Sequence, residues 1–376
     1  MKICIDARVI INHQTGLGNY TYNLIKSLLS IDQENSYLIF IGSSLRKDHP
    51  IHLLEQKNLI KKILNIPPVS IVQHALLPIE LIKENPDIYH YPNWDIPLFH
   101  PIKSIFTVHD LTYLLLNDAY LKHKWIKRSY TKLNILWGLK KAKKIIAVSE
   151  STKKDLLNHF QVVPNKINVV YEACEDIFDS DNLTNSTMKY PHEPEKEFKY
   201  FLCVAETRPH KNLVRTIQAF NLFREQHKGY KLIITGKPYS SYLEPQKIVD
   251  QLNLKDDVLF YGYVETNKLV RLYQNAEALL FVSLYEGFGL PILEAMSCRT
   301  AVITSNLSAT NEIAGDAAIK VNPYDVNAIS EAMNRIVEDK TLKDSLILKG
   351  LERKRHFSWL KAAEQTLAVY EAAYNN

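Results

Sequence analysis

Two glutamates eight positions apart, Glu286 and Glu294, frame the segment of this chain best suited to hold a phosphorylated ligand. An apolar run, Leu279–Ser283, meets a loop carrying Gly287 and Gly289, and Pro291 suits the first position of a following helix, where its missing N–H costs nothing. The N–H groups of Gly289 and Leu290 are then unpaired at a helix start, which favours phosphate oxygens. Glu286 on the loop and Glu294 in the first helical turn can both reach the crevice above the strand ends. The alternative is a loop acid plus an acid that complements the helix dipole, and the pair of glutamates alone leaves both readings open.

Three further groups sit where strands should end. Arg208-Pro209-His210-Lys211-Asn212 follows the apolar run Tyr200–Ala205, so its cations can neutralise a departing diphosphate, or form a solvated basic turn. His109 and Asp110 close the run Ser104–His109, at the end where α/β crevices open. His90, in Asp87-Ile88-Tyr89-His90, is expected in a crevice wall. Thr15-Gly16-Leu17-Gly18-Asn19 is a Gly-x-Gly turn without the third glycine of a dinucleotide fingerprint, and Gly16 in it can let backbone approach a diphosphate or an acceptor.

Glu-x7-Glu inside Glu-Gly-Phe-Gly-Leu-Pro-Ile-Leu-Glu-Ala-Met closely resembles the signature of the retaining glycosyltransferases of family 4, which have the GT-B fold. The resemblance covers nearly the whole chain: Thr15–Tyr20, Phe106–Leu111, Ile146–Ser151 and Phe357-Ser358-Trp359 look like further family stretches in the family's order. It implies that Glu294 accepts hydrogen bonds from the ribose hydroxyls of a sugar nucleotide. Glu286 would hold the donor sugar near its reacting carbon, and the backbone of Gly287, Phe288, Gly289 and Leu290 would touch the diphosphate. His109 would contact the donor sugar, Asp110 would lie on the acceptor side, and Lys211 matches the family lysine. The family's arginine usually stands five residues before that lysine or beside it. Glu206 and His210 occupy those positions here, so either Arg208 substitutes as the second cation or Lys211 acts with backbone groups alone. Asp179-Ser180-Asp181 looks like the metal-binding Asp-x-Asp of the other large glycosyltransferase fold, but it falls between apolar runs, so no metal and no cofactor is expected.

These groups need an alternation of strands and helices to position them. Six short apolar runs from Lys2–Ala7 to Ile167–Tyr171, and six more from Tyr200–Ala205 to Ala318–Val321, read as buried parallel strands with helical stretches between them. The expected architecture is α/β, two Rossmann-like doubly wound domains. Residues 1–175 form an acceptor-side domain, 176–199 a polar linker and 200–355 a nucleotide-sugar-binding domain. A C-terminal helix spans 356–376 and can pack back on the first domain.

With 376 residues, 46% hydrophobic and 23% charged, the chain has a globular composition. No window holds 18 uninterrupted apolar residues, and Asp6 interrupts the N-terminal apolar run, so neither a spanning helix nor a secretory signal is expected. Cys4, Cys174, Cys203 and Cys298 are too far apart for a CxxC pair, and read as buried thiols of a reducing cytosol. The net charge of +5 is too mild to imply nucleic acid. Its distribution says more: 119–149 holds nine lysines and arginines and no acid, interleaved with Trp125, Tyr130 and Trp137. That composition suits an anionic membrane surface at the inner face of the membrane, a solvated basic face, or steering of an anionic substrate.

The donor motifs together look most like mannosyltransferases of bacterial surface-polysaccharide assembly. That resemblance implies GDP-mannose as donor, with a UDP-sugar as runner-up, and a glycan or lipid-linked oligosaccharide as acceptor. The rival readings are a catalytically silent sugar-nucleotide binder and a sugar-nucleotide epimerase.

Overall fold

The computed structural model describes residues 1–12, 15–97, 99–115, 125–179 and 198–375, with the side chains of Tyr113 and of 125–128 left aside. The chain divides into two compact units: Met1–Glu172 with Ser358–Asn376, and Ala173–Phe357.

The first unit runs β1 Lys2–Asp6, α1 Gly16–Ile31, β2 Ser36–Gly42, β3 Leu59–Leu64, α2 Ile71–Glu84, β4 Ile88–Tyr91, β5 Lys103–Val108, α3 Thr112–Leu115, α4 Trp125–Lys141, β6 Lys144–Ala147, α5 Glu150–His159 and β7 Ile167–Val169. The second runs β8 Lys199–Val204, α6 Leu213–Gln226, β9 Tyr230–Thr235, α7 Glu244–Gln251, β10 Val258–Gly262, α8 Thr266–Asn275, β11 Leu279–Phe281, α9 Leu290–Ser297, β12 Val302–Ser305, α10 Ser308–Ala314, β13 Ile319–Val321, α11 Val326–Glu338 and α12 Lys340–Lys354. The last helix, α13 Trp359–Tyr374, belongs to the first unit.

Both sheets are parallel, in the orders β3-β2-β1-β4-β5-β6-β7 and β10-β9-β8-β11-β12-β13. The central strands are buried on both faces because helices cover each side, which is why they read as unbroken apolar runs. In the first unit α1 and α13 pack on one face, through Leu24, Leu28, Ala363 and Tyr370. On the other, α2, α4 and α5 pack through Leu77, Leu81, Ile135, Leu139 and Leu156. Thr15, Ser149 and Ser358 each cap a helix start by accepting from the N–H three residues on.

Strand β3 is absent from the sequence reading. Lys61 and Lys62 interrupt its apolar residues because it is an edge strand with its outer positions in water. In each sheet the strand order reverses beside the first strand, between β1 and β4 and between β8 and β11, which opens a crevice at the carboxyl ends. Asp6 closes β1 there, bound by the Arg8 guanidinium through Nε at 2.8 Å and Nη2 at 2.6 Å, with both side chains fully buried. The Tyr89 hydroxyl donates to Asp6 at 2.7 Å, and Arg8 Nη1 donates to the Ile66 carbonyl at 2.9 Å, so the pair keeps its hydrogen bonds out of water.

Candidate active site

In the second unit the loops after β8 and β11 lie side by side. The turn Pro209–Lys211 and the loop 282–289 are held together by Asn212, which adopts a left-handed backbone at φ 59°. Its Nδ2 donates to the Val282 carbonyl at 3.0 Å and to the Pro323 carbonyl at 2.7 Å. The Leu284 N–H adds a bond to the His210 carbonyl at 2.7 Å. This seam brings Lys211 to Glu286: Nζ donates to Oε1 at 2.7 Å, with the two side chains only 18% and 13% exposed. The ammonium also sits 5.4 Å from the centre of the Phe281 ring. The backbone of Glu286 is fixed in turn, its N–H donating to Ser308 Oγ at 3.1 Å. Burial holds the His210 imidazole well below the usual range, and the neighbouring charges of Lys211 and Arg208 add to the effect.

Gly289 precedes α9 with φ at 123°, a conformation that strains any side-chain-bearing residue. A Cβ there would also approach Ile292 Cδ1 to 3.3 Å. The helix begins at Leu290, which places Pro291 second rather than first and Glu294 fifth. Glu294 therefore lies beyond the first turn, which holds no acid, and the reading of it as a dipole-complementing residue fails on geometry. Its Oε2 accepts from the Tyr273 hydroxyl of α8 at 2.7 Å. Burial pushes the Glu294 carboxyl up to about 7; the Tyr273 hydrogen bond pulls it down and the charge of Glu175 pushes it further up. Tyr273 is itself fully buried, and its carbonyl accepts from Thr300 Oγ1 at 2.6 Å.

Arg208 is held by Glu206 in this arrangement. Its Nε donates to Glu206 Oε2 at 2.6 Å, and its guanidinium lies 4.9 Å from the Tyr239 ring centre. It is paired with the acid that occupies the place expected for an arginine. Asp179 pairs with Lys354 of α12 at 2.7 Å, which fixes the start of the expected linker onto the second unit; Asp181 lies outside the described residues.

In the first unit His109 follows β5 with both ring nitrogens engaged. Nδ1 faces Glu172 Oε1 at 2.7 Å and Nε2 faces the Pro92 carbonyl at 3.0 Å. Both partners accept hydrogen bonds, an arrangement that the doubly protonated ring satisfies. Burial opposes that charge, but the Glu172 carboxylate, the Pro92 carbonyl and Asp110 outweigh it and hold the His109 pKa above its ordinary value. Tyr20 packs edge-on against the ring, centroids 4.6 Å apart. Asp110 accepts from the Thr112 N–H at 2.8 Å and so starts α3. His90 is a core residue rather than a crevice wall: it is fully buried between the Tyr370 hydroxyl at 2.7 Å and Thr107 Oγ1 at 2.9 Å, and burial depresses its pKa to about 3. The expected glycine loop is instead the first turn of α1. A Cβ on Gly16 would meet nothing within 4 Å, whereas one on Gly18 would sit 3.0 Å from the capping Thr15 Oγ1.

Sequence reasoning passed over Glu172 and Tyr273 as members of these clusters, and gave Asn212, although it lies within the basic motif, no role. Glu172 carried a usable signal, an acid directly after a strand run. Tyr273 carried none, because the turn between α8 and β11 that brings it to Glu294 leaves no mark on residue spacing.

The model for Glycosyltransferase Family 4 matches residues 15–175, and that for Glycosyl transferases group 1 matches 185–353. The chain is 28% identical to O-antigen chain mannosyltransferase B of Escherichia coli, over 99% of this chain and 100% of that one. It is 31% identical to O-antigen chain mannosyltransferase RfbU of Salmonella typhimurium, over 64% of this chain and 62% of the relative. Among solved structures, the fold is shared with WaaG, a glycosyltransferase of lipopolysaccharide biosynthesis, at a TM-score of 0.74 and 13% identity over 98% of this chain and 99% of that one. With paired parallel sheets, strand-end crevices and both halves matched, the chain belongs to the glycosyltransferases of family 4 and has the GT-B fold.

Proposed function

We propose that the chain is a retaining, metal-independent hexosyltransferase that moves mannose from GDP-mannose onto a glycan or lipid-linked oligosaccharide in surface-polysaccharide assembly. It works in the cytoplasm, as a peripheral protein at the inner face of the membrane. The observation that carries the reading is the Lys211–Glu286 pair at the strand-end crevice of the second unit, between Gly289 at the start of α9 and the turn after β8. The named activities of the two O-antigen relatives favour mannose.

In this reading the diphosphate lies at the α9 N-terminus, against the backbone of Gly287, Phe288, Gly289 and Leu290. Lys211 offsets its charge in place of a metal ion. Glu294 accepts from the ribose hydroxyls, and Glu286 orients the mannose. The bond from the anomeric carbon to the phosphate oxygen breaks as the acceptor oxygen bonds that carbon from the same face. The acceptor proton passes to the departing phosphate. His109 meets an acceptor at each ring nitrogen and so is not assigned the role of base; Asp110 lies on the acceptor side.

A thermal-shift panel of GDP- and UDP-sugars tests the donor, since a ligand that binds only the folded state raises the melting temperature. GDP-mannose should give the largest shift. An equal or larger shift with a UDP-sugar overturns the donor assignment. Release of GDP on adding an oligosaccharide acceptor, with an α-linked product, tests the reaction. Conversion of the donor sugar without any acceptor would establish an epimerase instead.

A further inference from the structure

Helix α2 is apolar where it should face water. Leu77 and Leu81 seat it on the sheet. The opposite arc carries Ile71 at 80% exposure, Val72 at 48%, Leu76 at 43%, Ile79 at 48% and Ile82 at 58%. A water-facing helix arc is normally polar, and a contiguous apolar patch on a soluble protein marks an interaction surface. The acids of α2 lie to the side and are already paired: Glu80 with Lys62 and Lys83, Glu84 with Lys62 and Lys2.

Helix α4 lies beside α2 on the same face of the sheet, with the Tyr130 hydroxyl 2.8 Å from His74 Nε2. Because Ile135 and Leu139 seat α4 on the sheet, its outer arc faces the same way as that of α2. That arc combines apolar and cationic residues: Leu133 at 67% and Leu136 at 42% exposure, with exposed Lys132 and Lys140 on either side of them. Lys141 and Lys143 extend the charge, and no acid occurs anywhere in 119–149.

We propose that the outer arcs of α2 and α4 form one docking face for an anionic lipid bilayer, with the α2 ladder entering the acyl boundary and the α4 lysines meeting headgroup phosphates. Charge selects this occupant. A second copy of the chain would bring lysine against lysine, with the acids of α2, Glu80 and Glu84, already paired, whereas anionic headgroups complement the lysines and acyl chains complement the isoleucines. The sequence offered only the basic half of this surface. The apolar half appears once folding turns the α2 ladder outward. The proposal rests on the peripheral-membrane reading above but not on the donor or the mechanism, since none of these side chains belongs to the strand-end crevices.

The two halves respond differently to salt, and vesicle flotation separates them. The full-length protein is mixed with phosphatidylcholine vesicles with and without phosphatidylglycerol, at low and high salt. The parent should float with the anionic vesicles, and part of that binding should survive high salt, where surface charge is screened. The triple change Ile71→Ser, Leu76→Ser, Ile79→Ser should abolish the salt-resistant part, lowering partition by at least ~10-fold on the usual area scale. The set Lys132→Gln, Lys140→Gln, Lys141→Gln should abolish the salt-sensitive part. All these residues are exposed, so melting temperature and nucleotide binding in solution should match the parent in both variants. A parent that ignores anionic vesicles, or a serine variant that floats as well as the parent, overturns the proposal. So does a parent that is dimeric by light scattering and becomes monomeric in the serine variant without ever binding vesicles.

Discussion

Replacing Tyr273 with Phe should make sugar-nucleotide binding more sensitive to acid. In the free protein burial holds the Glu294 carboxyl up to about 7, and the 2.7 Å bond from the Tyr273 hydroxyl favours its charged form. A carboxylate accepts from both ribose hydroxyls, whereas a protonated carboxyl offers one fewer acceptor, so nucleotide affinity should rise as pH climbs through that midpoint. A hydrogen bond to a charged group is worth roughly 1.5–3 kcal/mol, and 1.36 kcal/mol moves a pKa by about one unit. Tyr273→Phe should therefore shift the midpoint about one to two pH units upward. Affinity at pH 7 should fall by about tenfold or somewhat more, while affinity well above the new midpoint returns towards that of the parent. Calorimetric titration with GDP-mannose from pH 6 to 9 reads this directly, because the sugar ester leaves no diphosphate proton titrating near neutrality. Glu294→Gln supplies the control, weak binding with no slope. A parent whose affinity is flat across that range, or a Tyr273→Phe midpoint that moves down, refutes the linkage between Tyr273, Glu294 and the ribose.

Glu286→Ala should lower kcat by orders of magnitude while nucleotide diphosphate binding holds or tightens, because the change removes the sugar-orienting group and frees Lys211; unchanged kcat in steady-state assays would refute the assigned role. Activity should survive EDTA, and its loss with recovery on adding Mn²⁺ would show that a metal, not Lys211, carries the diphosphate charge. Asp6→Asn should destabilise the first unit by about 3–5 kcal/mol in urea melts, since it leaves the fully buried Arg8 guanidinium without its counter-ion. The raised His109 pKa contributes stability that is complete below about 6.5, the unfolded value, and is lost as pH rises through the folded value; Glu172→Gln should flatten that dependence.

The sheets were legible because parallel strands buried on both faces are apolar at every position, and the runs at Lys2–Ala7, Tyr200–Ala205 and Leu279–Ser283 each became a strand. Strand β3 was not, because an edge strand spends half its positions on solvent, and Lys61 and Lys62 hide its pattern. The Gly-x-Gly stretch was misread for a different reason. Glycines serve a loop and a capped first helical turn equally well, and only the bond from the Gly18 N–H to Thr15 Oγ1 separates the two. Within the candidate site the sequence placed Glu286 on the loop, Lys211 on the turn after β8 and Glu294 on α9, where the structure has them, although Glu294 lies beyond the first turn expected for it. What it could not carry was which charge pairs with which, since that depends on how two loops abut.

That pairing bears on how the site meets its donor. An isolated lysine in a partly buried crevice would be costly to desolvate, and Glu286 offsets its charge before any ligand arrives. An incoming diphosphate must then compete with Glu286 for Lys211. The exchange is favourable only if Glu286 finds hydroxyl donors of its own, and the sugar of the donor supplies them. A bare nucleoside diphosphate would take the lysine and leave the carboxylate unpartnered, while a sugar nucleotide satisfies both. Under the proposed function, the pair should make the intact donor a better ligand than the product left after transfer. Arg208 does not relieve this competition, because Glu206 holds its guanidinium at 2.6 Å. Substituting Glu206 with Gln would free Arg208 to join Lys211. Product affinity should then rise and turnover should slow at the release step, which inhibition of the variant by added GDP would measure. Unchanged GDP inhibition would show that Arg208 takes no part in diphosphate charge, whatever its pairing.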